Sequence, residues 1–209
     1  MLSACTILAA GAVAPFAPSA FAAEAVRLED FKPIPLKPGA NVIRDFTPDG
    51  RDAIVAQGWR DNGNAHGYTV LLVLVSAGNG RFNVVPVERP GTDRGAADTI
   101  ADDPHLGEDA VRSVRLVRGK VDGSPATLLL TATREVDLSQ GIPAPSPVAY
   151  EVFRLVRNAG EAGSSADVFK LVQASRPAGR FCNAGVALLR QFGIPLPAGH
   201  QGPRTADGC

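Results

Sequence analysis

The chain has 209 residues, 21 basic against 21 acidic side chains and only 6% aromatic residues. A balanced charge without any basic block argues against electrostatic binding to nucleic acid or to a membrane surface. The length suits one domain with a core of its own.

Residues 7–21 are small, apolar and uncharged, and Ala20-Phe21-Ala22 forms an A-x-A site ahead of Ala23-Glu24. This pattern predicts a secretory signal peptide over 1–22, because the apolar run is too short to span a membrane. A lipoprotein box at Leu2-Ser3-Ala4-Cys5 is the alternative, but its cysteine precedes the apolar run that it should follow. No Lys or Arg precedes that run either. The expected location is periplasmic or secreted. Cleavage leaves Cys182 and Cys209, an even count that predicts a disulfide in an oxidising compartment. Such a bond contributes about 3 kcal/mol in the chain-entropy account. Free thiols or metal ligation by the pair is the alternative.

Residues 23–41, with Pro33, Pro35 and Pro38, form an extended lead-in. Short β-branched or Leu-rich runs bounded by Gly, Pro, Asn and Asp then predict strands at 53–57, 68–75, 81–87, 113–117, 126–133, 148–156 and 168–174. Ser76-Ala-Gly-Asn-Gly80 supplies glycines for a hairpin loop. Residues 181–192 have helical spacing at Val186, Leu189 and Phe192, with Asn183 as a cap and Gly193 then Pro195 as a stop.

These runs contain a repeat. Asp49-Gly50 and Ala53 match Asp122-Gly123 and Ala126, Tyr68 matches Tyr150, and Phe82 matches Phe169. The predicted fold is all-β and mainly antiparallel. Two duplicated three-stranded meanders (42–88 and 112–175) pack as a sandwich or blade pair. A short, disulfide-tethered C-terminal helix covers one open edge. The single β-rich domain spans 42–209.

Two stretches carry candidate chemistry. Asp45-x-Thr47-x-Asp49-Gly50-x-Asp52 resembles the D-x-D-x-D-G loop that offers oxygen ligands to calcium, although Thr47 replaces one carboxylate. Asp45, Asp49 and Asp52 are the candidate metal ligands, and an Asp-Gly turn opening a strand is the plainer reading. The polar loop holds Trp59, Arg60, Asp61, Asn62, Asn64 and His66 within eight positions. Trp59, Arg60, Asn62, Asn64 and His66 form a candidate ligand-binding surface, with Trp59 as a stacking face. On the competing reading Asn and Gly shape the loop, His66 meets a backbone carbonyl and Trp59 is core. Asp102, Asp103, His105, Glu108 and Asp109 form a further acidic stretch around one histidine.

No G-x-S-x-G, S-x-x-K, H-E-x-x-H or glycine-rich phosphate loop occurs, so no standard catalytic motif is present, and no cofactor is expected other than the calcium of the Asp45–Asp52 reading. The segment Trp59-Arg-Asp-Asn62-Gly-Asn64-Ala-His66-Gly67 resembles part of the carbapenem intrinsic-resistance proteins, and Phe181-Cys182-Asn183 is similar to that family's cysteine-bearing tail. The resemblance implies an exported β-rich protein giving β-lactam tolerance without the hallmarks of a β-lactamase. It carries over Asn62, Asn64 and His66 in an unassigned role.

The leading expectation is therefore an exported, non-catalytic β-sheet binding protein whose partner is a small molecule or a periplasmic protein. An exported hydrolase with a dispersed site around His66 or His105 is the enzymatic alternative. A structural homodimer joined through unpaired sheet edges is the third.

Overall fold

The computed structural model describes residues 26–63, 67–88, 96–102, 110–137, 139–158, 164–197, 200 and 202–209. The predicted signal peptide, Asn64, His66 and His105 lie outside the described residues. In chain order the strands are β1 (Leu28–Pro33), β2 (Gly39–Ile43), β3 (Ala53–Arg60), β4 (Tyr68–Gly78), β5 (Arg81–Val84), β6 (Val87–Glu88), β7 (Ala96–Ala97) and β8 (Ile100–Ala101). They continue as β9 (Arg112–Val121), β10 (Ser124–Arg134), β11 (Ser146–Arg157), β12 (Asp167–Ser175) and β13 (Arg180–Phe181), followed by helix α1 (Ala184–Phe192).

Turn chemistry sets the hairpins. Asp122 and Gly123 both have positive φ, 49° and 78°, the geometry that matches strand twist across a two-residue connection between β9 and β10. Asn79 and Gly80, at 52° and 72°, do the same between β4 and β5. The large sheet has the order β1-β9-β10-β11-β12-β6-β7, antiparallel except where β12 meets β6. The small sheet has the order β2-β3-β4-β5, with β8 beside β4.

Three layers result. Ala53, Val55, Val73 and Val75 of the small sheet pack with Phe46 onto Leu116, Leu129, Phe153, Leu155 and Phe169 of the large one. The other face of the large sheet buries Val117, Leu128, Leu130, Tyr150 and Val152 beneath Ala184, Ala187 and Leu188 of α1. Consecutive Leu128, Leu129 and Leu130 therefore point into two different cores, as strand alternation requires. Each such leucine contributes roughly 1.5–3 kcal/mol by burial. The fold is all-β with one short C-terminal helix, as expected.

Three details correct the expectation. The extended lead-in belongs to the sheets: β1 pairs with β9 and β2 with β3, so the chain crosses from one sheet to the other at residues 34–38. Pro33 is tolerated as the last residue of β1 because β1 is an edge strand. Each meander accordingly has four strands, β2 to β5 and β9 to β12, and the sequence matches align β3 with β10, β4 with β11 and β5 with β12. Phe82 nevertheless stays 45% exposed while Phe169 is fully buried. The helix starts at Ala184 and covers the outer face of the large sheet, not an edge, because β10 is apolar on both sides. The Asn183 side chain accepts from the Gly185 and Val186 amides, and Gly193 ends the helix at φ 67°.

Cys182 and Cys209 are joined as a disulfide with their Cα atoms 5.1 Å apart. This holds the C-terminus against the start of α1, where the Cys182 amide also donates to the Asp207 carbonyl.

Candidate functional site

The polar loop is the tip of the β3–β4 hairpin, whose last ladder pairs are Trp59 with Thr69 and Arg60 with Tyr68. Trp59 is 54% exposed, so it is not a core residue. Its indole lies against Gly67: a Cβ at that glycine would come within 2.5 Å of Trp59 Cζ2 and 3.0 Å of the Arg60 carbonyl. The glycine thus lets the hairpin close beneath the ring. On the opposite side of the ladder the Arg60 guanidinium sits 5.5 Å from the Tyr68 ring centroid, a cation–π contact. Asp61 Oδ1 accepts from the Gly63 amide at 2.8 Å, and Gly63 has φ 68°. This Asx turn orders the start of the loop. Trp59, Arg60 and Asn62 are all exposed at one end of the small sheet. They offer a flat aromatic face beside polar groups, which suits recognition of a small polar molecule or of a partner's backbone.

The aspartates ahead of β3 do not converge on a common point. Asp49 accepts from Arg51 Nε at 2.9 Å and from Arg157 Nη1 at 3.1 Å. Asp52 pairs with Arg44 and accepts from the Asp45 amide. The hydrogen bonds from Arg51 and then from Thr47 hold the Asp49 carboxyl down to about 2. Arginines therefore hold the carboxylates of Asp49 and Asp52, and no group of three metal-binding side chains occurs among the described residues. The segment that offers Asp45, Asp49 and Asp52 folds as an Asp-Gly turn, with Gly50 at φ 78° and its amide donating to the Thr47 carbonyl.

A groove that the sequence did not signal opens where the chain crosses between the sheets. It has a volume of about 650 Å³ and an apolar wall of Pro33, Ile34, Pro35, Val42 and Ile43. Four cations line it: Lys32, Lys37, Arg44 and Arg118. Arg118 is fixed by donating to the Arg44 carbonyl at 2.6 Å, the Asp45 carbonyl at 2.6 Å and Thr127 Oγ1 at 2.8 Å. Its guanidinium lies 5.9 Å from the Phe46 ring centroid. Burial pushes its pKa below the usual value, opposed by the charge of Asp45. Buried Asn41 shapes the rim, accepting from the Lys37 amide at 3.0 Å and donating to the Lys37 carbonyl at 2.8 Å. Lys32 stands opposite Arg118, 86 residues later, in the β1–β9 ladder, and Lys37 is placed by the crossover through Asn41, so no local pattern signals the groove.

No family model matches the chain, and no curated protein matches it by sequence. Among solved structures, the crystal structure of CarG has the same fold. The superposition has a TM-score of 0.60 at 17% identity and covers 82% of this chain and 99% of that one.

Proposed function

We propose that this chain is an exported, non-catalytic binding protein that gives tolerance to carbapenems without hydrolysing them. The observation that carries the reading is the fold shared with CarG over nearly the whole of that chain. It is supported by the resemblance of the Trp59–Gly67 segment to the carbapenem intrinsic-resistance proteins. The exposed indole of Trp59, backed by Gly67, is the group most suited to hold a flat or partly apolar ligand at the hairpin tip.

The test is a set of single variants, Trp59→Ala, Asn64→Ala and His66→Ala, in the exported protein. Each should leave thermal unfolding nearly unchanged and reduce protection of the host against meropenem. Full protection in all three removes the loop from the mechanism.

A second reading, association of two copies, has its own observation. The face of the small sheet turned away from the core carries Ile54, Ala56, Val70, Leu72 and Leu74, and none of them is fully buried. Val42 and Phe82 are exposed large hydrophobics on the same side of their strands. Packing of two such faces would be a face-to-face contact and not the edge-to-edge pairing expected from sequence. Sedimentation over a hundredfold range of concentration tests it. A constant monomer mass contradicts it.

A further inference from the structure

We propose that the groove between β1 and β2 is a second binding site, specific for a small amphipathic carboxylate: an apolar body bearing one anionic group. It is separate from the Trp59 loop and does not depend on that loop's role.

Charge is the first argument. Lys32, Lys37, Arg44 and Arg118 line the groove, and no acidic residue does. Arg44 is spent on Asp52, and the neighbouring Lys120 is spent on Asp30 at 2.6 Å. Lys32, Lys37 and Arg118 form no ion pair with a carboxylate among the described residues. Asp45 acts on Arg118, and Lys32 on Asp30, through charge without a hydrogen bond. Three cations around one concavity repel one another unless an anion joins them.

Geometry is the second. Three hydrogen bonds to Arg44, Asp45 and Thr127 occupy both Nη1 protons of Arg118 and one on Nη2. The second Nη2 proton and the Nε proton have no hydrogen-bond partner among the described residues and remain for a ligand. These two donors are fixed in one plane before binding, the arrangement that matches the two oxygens of a carboxylate. Thr127 in turn donates to the Phe46 carbonyl at 2.7 Å, so the anchor is tied to both sheets. Lys32 and Lys37 stand exposed at the rim, where they steer an anion inward.

The wall chooses among anions. Ile34, Val42 and Ile43 leave apolar surface at the groove, and Val42 is 62% exposed. A bare inorganic ion leaves that surface wet, whereas an amphipathic carboxylate covers it while its head meets Arg118.

The experiment is calorimetric titration of the full mature chain with octanoate, 1-octanol and inorganic phosphate. Octanoate should bind, with 1-octanol and phosphate each at least about tenfold weaker, and its affinity should fall as salt is raised. Lys32→Gln/Lys37→Gln, which alters only exposed side chains, should weaken octanoate roughly tenfold, and Arg118→Gln should weaken it further. No octanoate binding, equal affinity for 1-octanol or phosphate, or an unchanged affinity in the lysine double variant would each overturn the proposal. Octanoate titration of Trp59→Ala separates the two sites: loss of protection with octanoate binding retained supports both assignments. Retained protection counts against the loop alone.

Discussion

Asp167, fully buried at the start of β12, accepts from both terminal nitrogens of Arg51, at 2.6 and 3.0 Å, across the space between the two sheets. The two residues are 116 positions apart in the chain. Arg51 also holds Asp49 through Nε, so one guanidinium joins the small sheet's leading turn to the large sheet. Asp167 is the first cause of the rise in the Arg51 pKa above its usual value, partly offset by burial.

Removing one partner should therefore cost far more than removing both. Arg51→Met leaves a buried carboxylate without its cation, and unfolding in urea should show a loss of about 3–5 kcal/mol. The double variant Arg51→Met/Asp167→Leu should recover most of it. A single-variant loss within the range of exposed pairs would mean that water replaces the guanidinium.

The Asp49 carboxyl predicts a particular acid limb. Its folded pKa is lowered to about 2 from a usual 3.8. A depressed carboxylate contributes stability above its unfolded pKa and loses it as pH falls through the folded one. The loss from this group should therefore run from about pH 4 down to about pH 2. The group is largely exposed, so the contribution is small and screened by salt. Asp49→Asn should flatten that limb in thermal melts at low salt, and an unchanged limb would locate the acid sensitivity elsewhere.

Much of this architecture is legible in the sequence, for physical reasons that differ by element. The strands of both meanders are apolar runs between turn residues, and Asp122-Gly123 supplies the two positive-φ residues of a two-residue hairpin connection. Asn183 and Gly193 mark α1 because caps depend on local chemistry. The lead-in was opaque because β1 is defined by a partner more than eighty residues away, while its prolines disguise an edge strand. Trp59 was ambiguous because an apolar ring inside a polar loop has no periodicity to assign it. The cationic groove was invisible because Lys32 and Arg118 are brought together by sheet pairing alone.

Gly67 should tolerate no side chain while Trp59 keeps its place. Gly67→Ala puts a methyl group within contact of the indole and of the Arg60 carbonyl, at an expected cost of about 1–3 kcal/mol. In Trp59→Ala/Gly67→Ala the ring clash is gone, and part of the loss should return. A double-mutant cycle on denaturant midpoints checks this, and strictly additive losses would place the clash at the backbone.

The disulfide should matter for stability and not for the hairpin tip. Cys182→Ala/Cys209→Ala frees the tail from α1 and should lower unfolding free energy by about 3 kcal/mol. Tryptophan fluorescence of the native state should stay the same, since the chain's single tryptophan is on β3. A changed native spectrum would show that the tail reaches the loop.

The most direct test is to export the protein in a susceptible host, measure meropenem tolerance, and incubate the purified protein with meropenem while following the β-lactam absorbance. The account predicts raised tolerance with no loss of absorbance. Tolerance accompanied by turnover, or no tolerance at all, would contradict it.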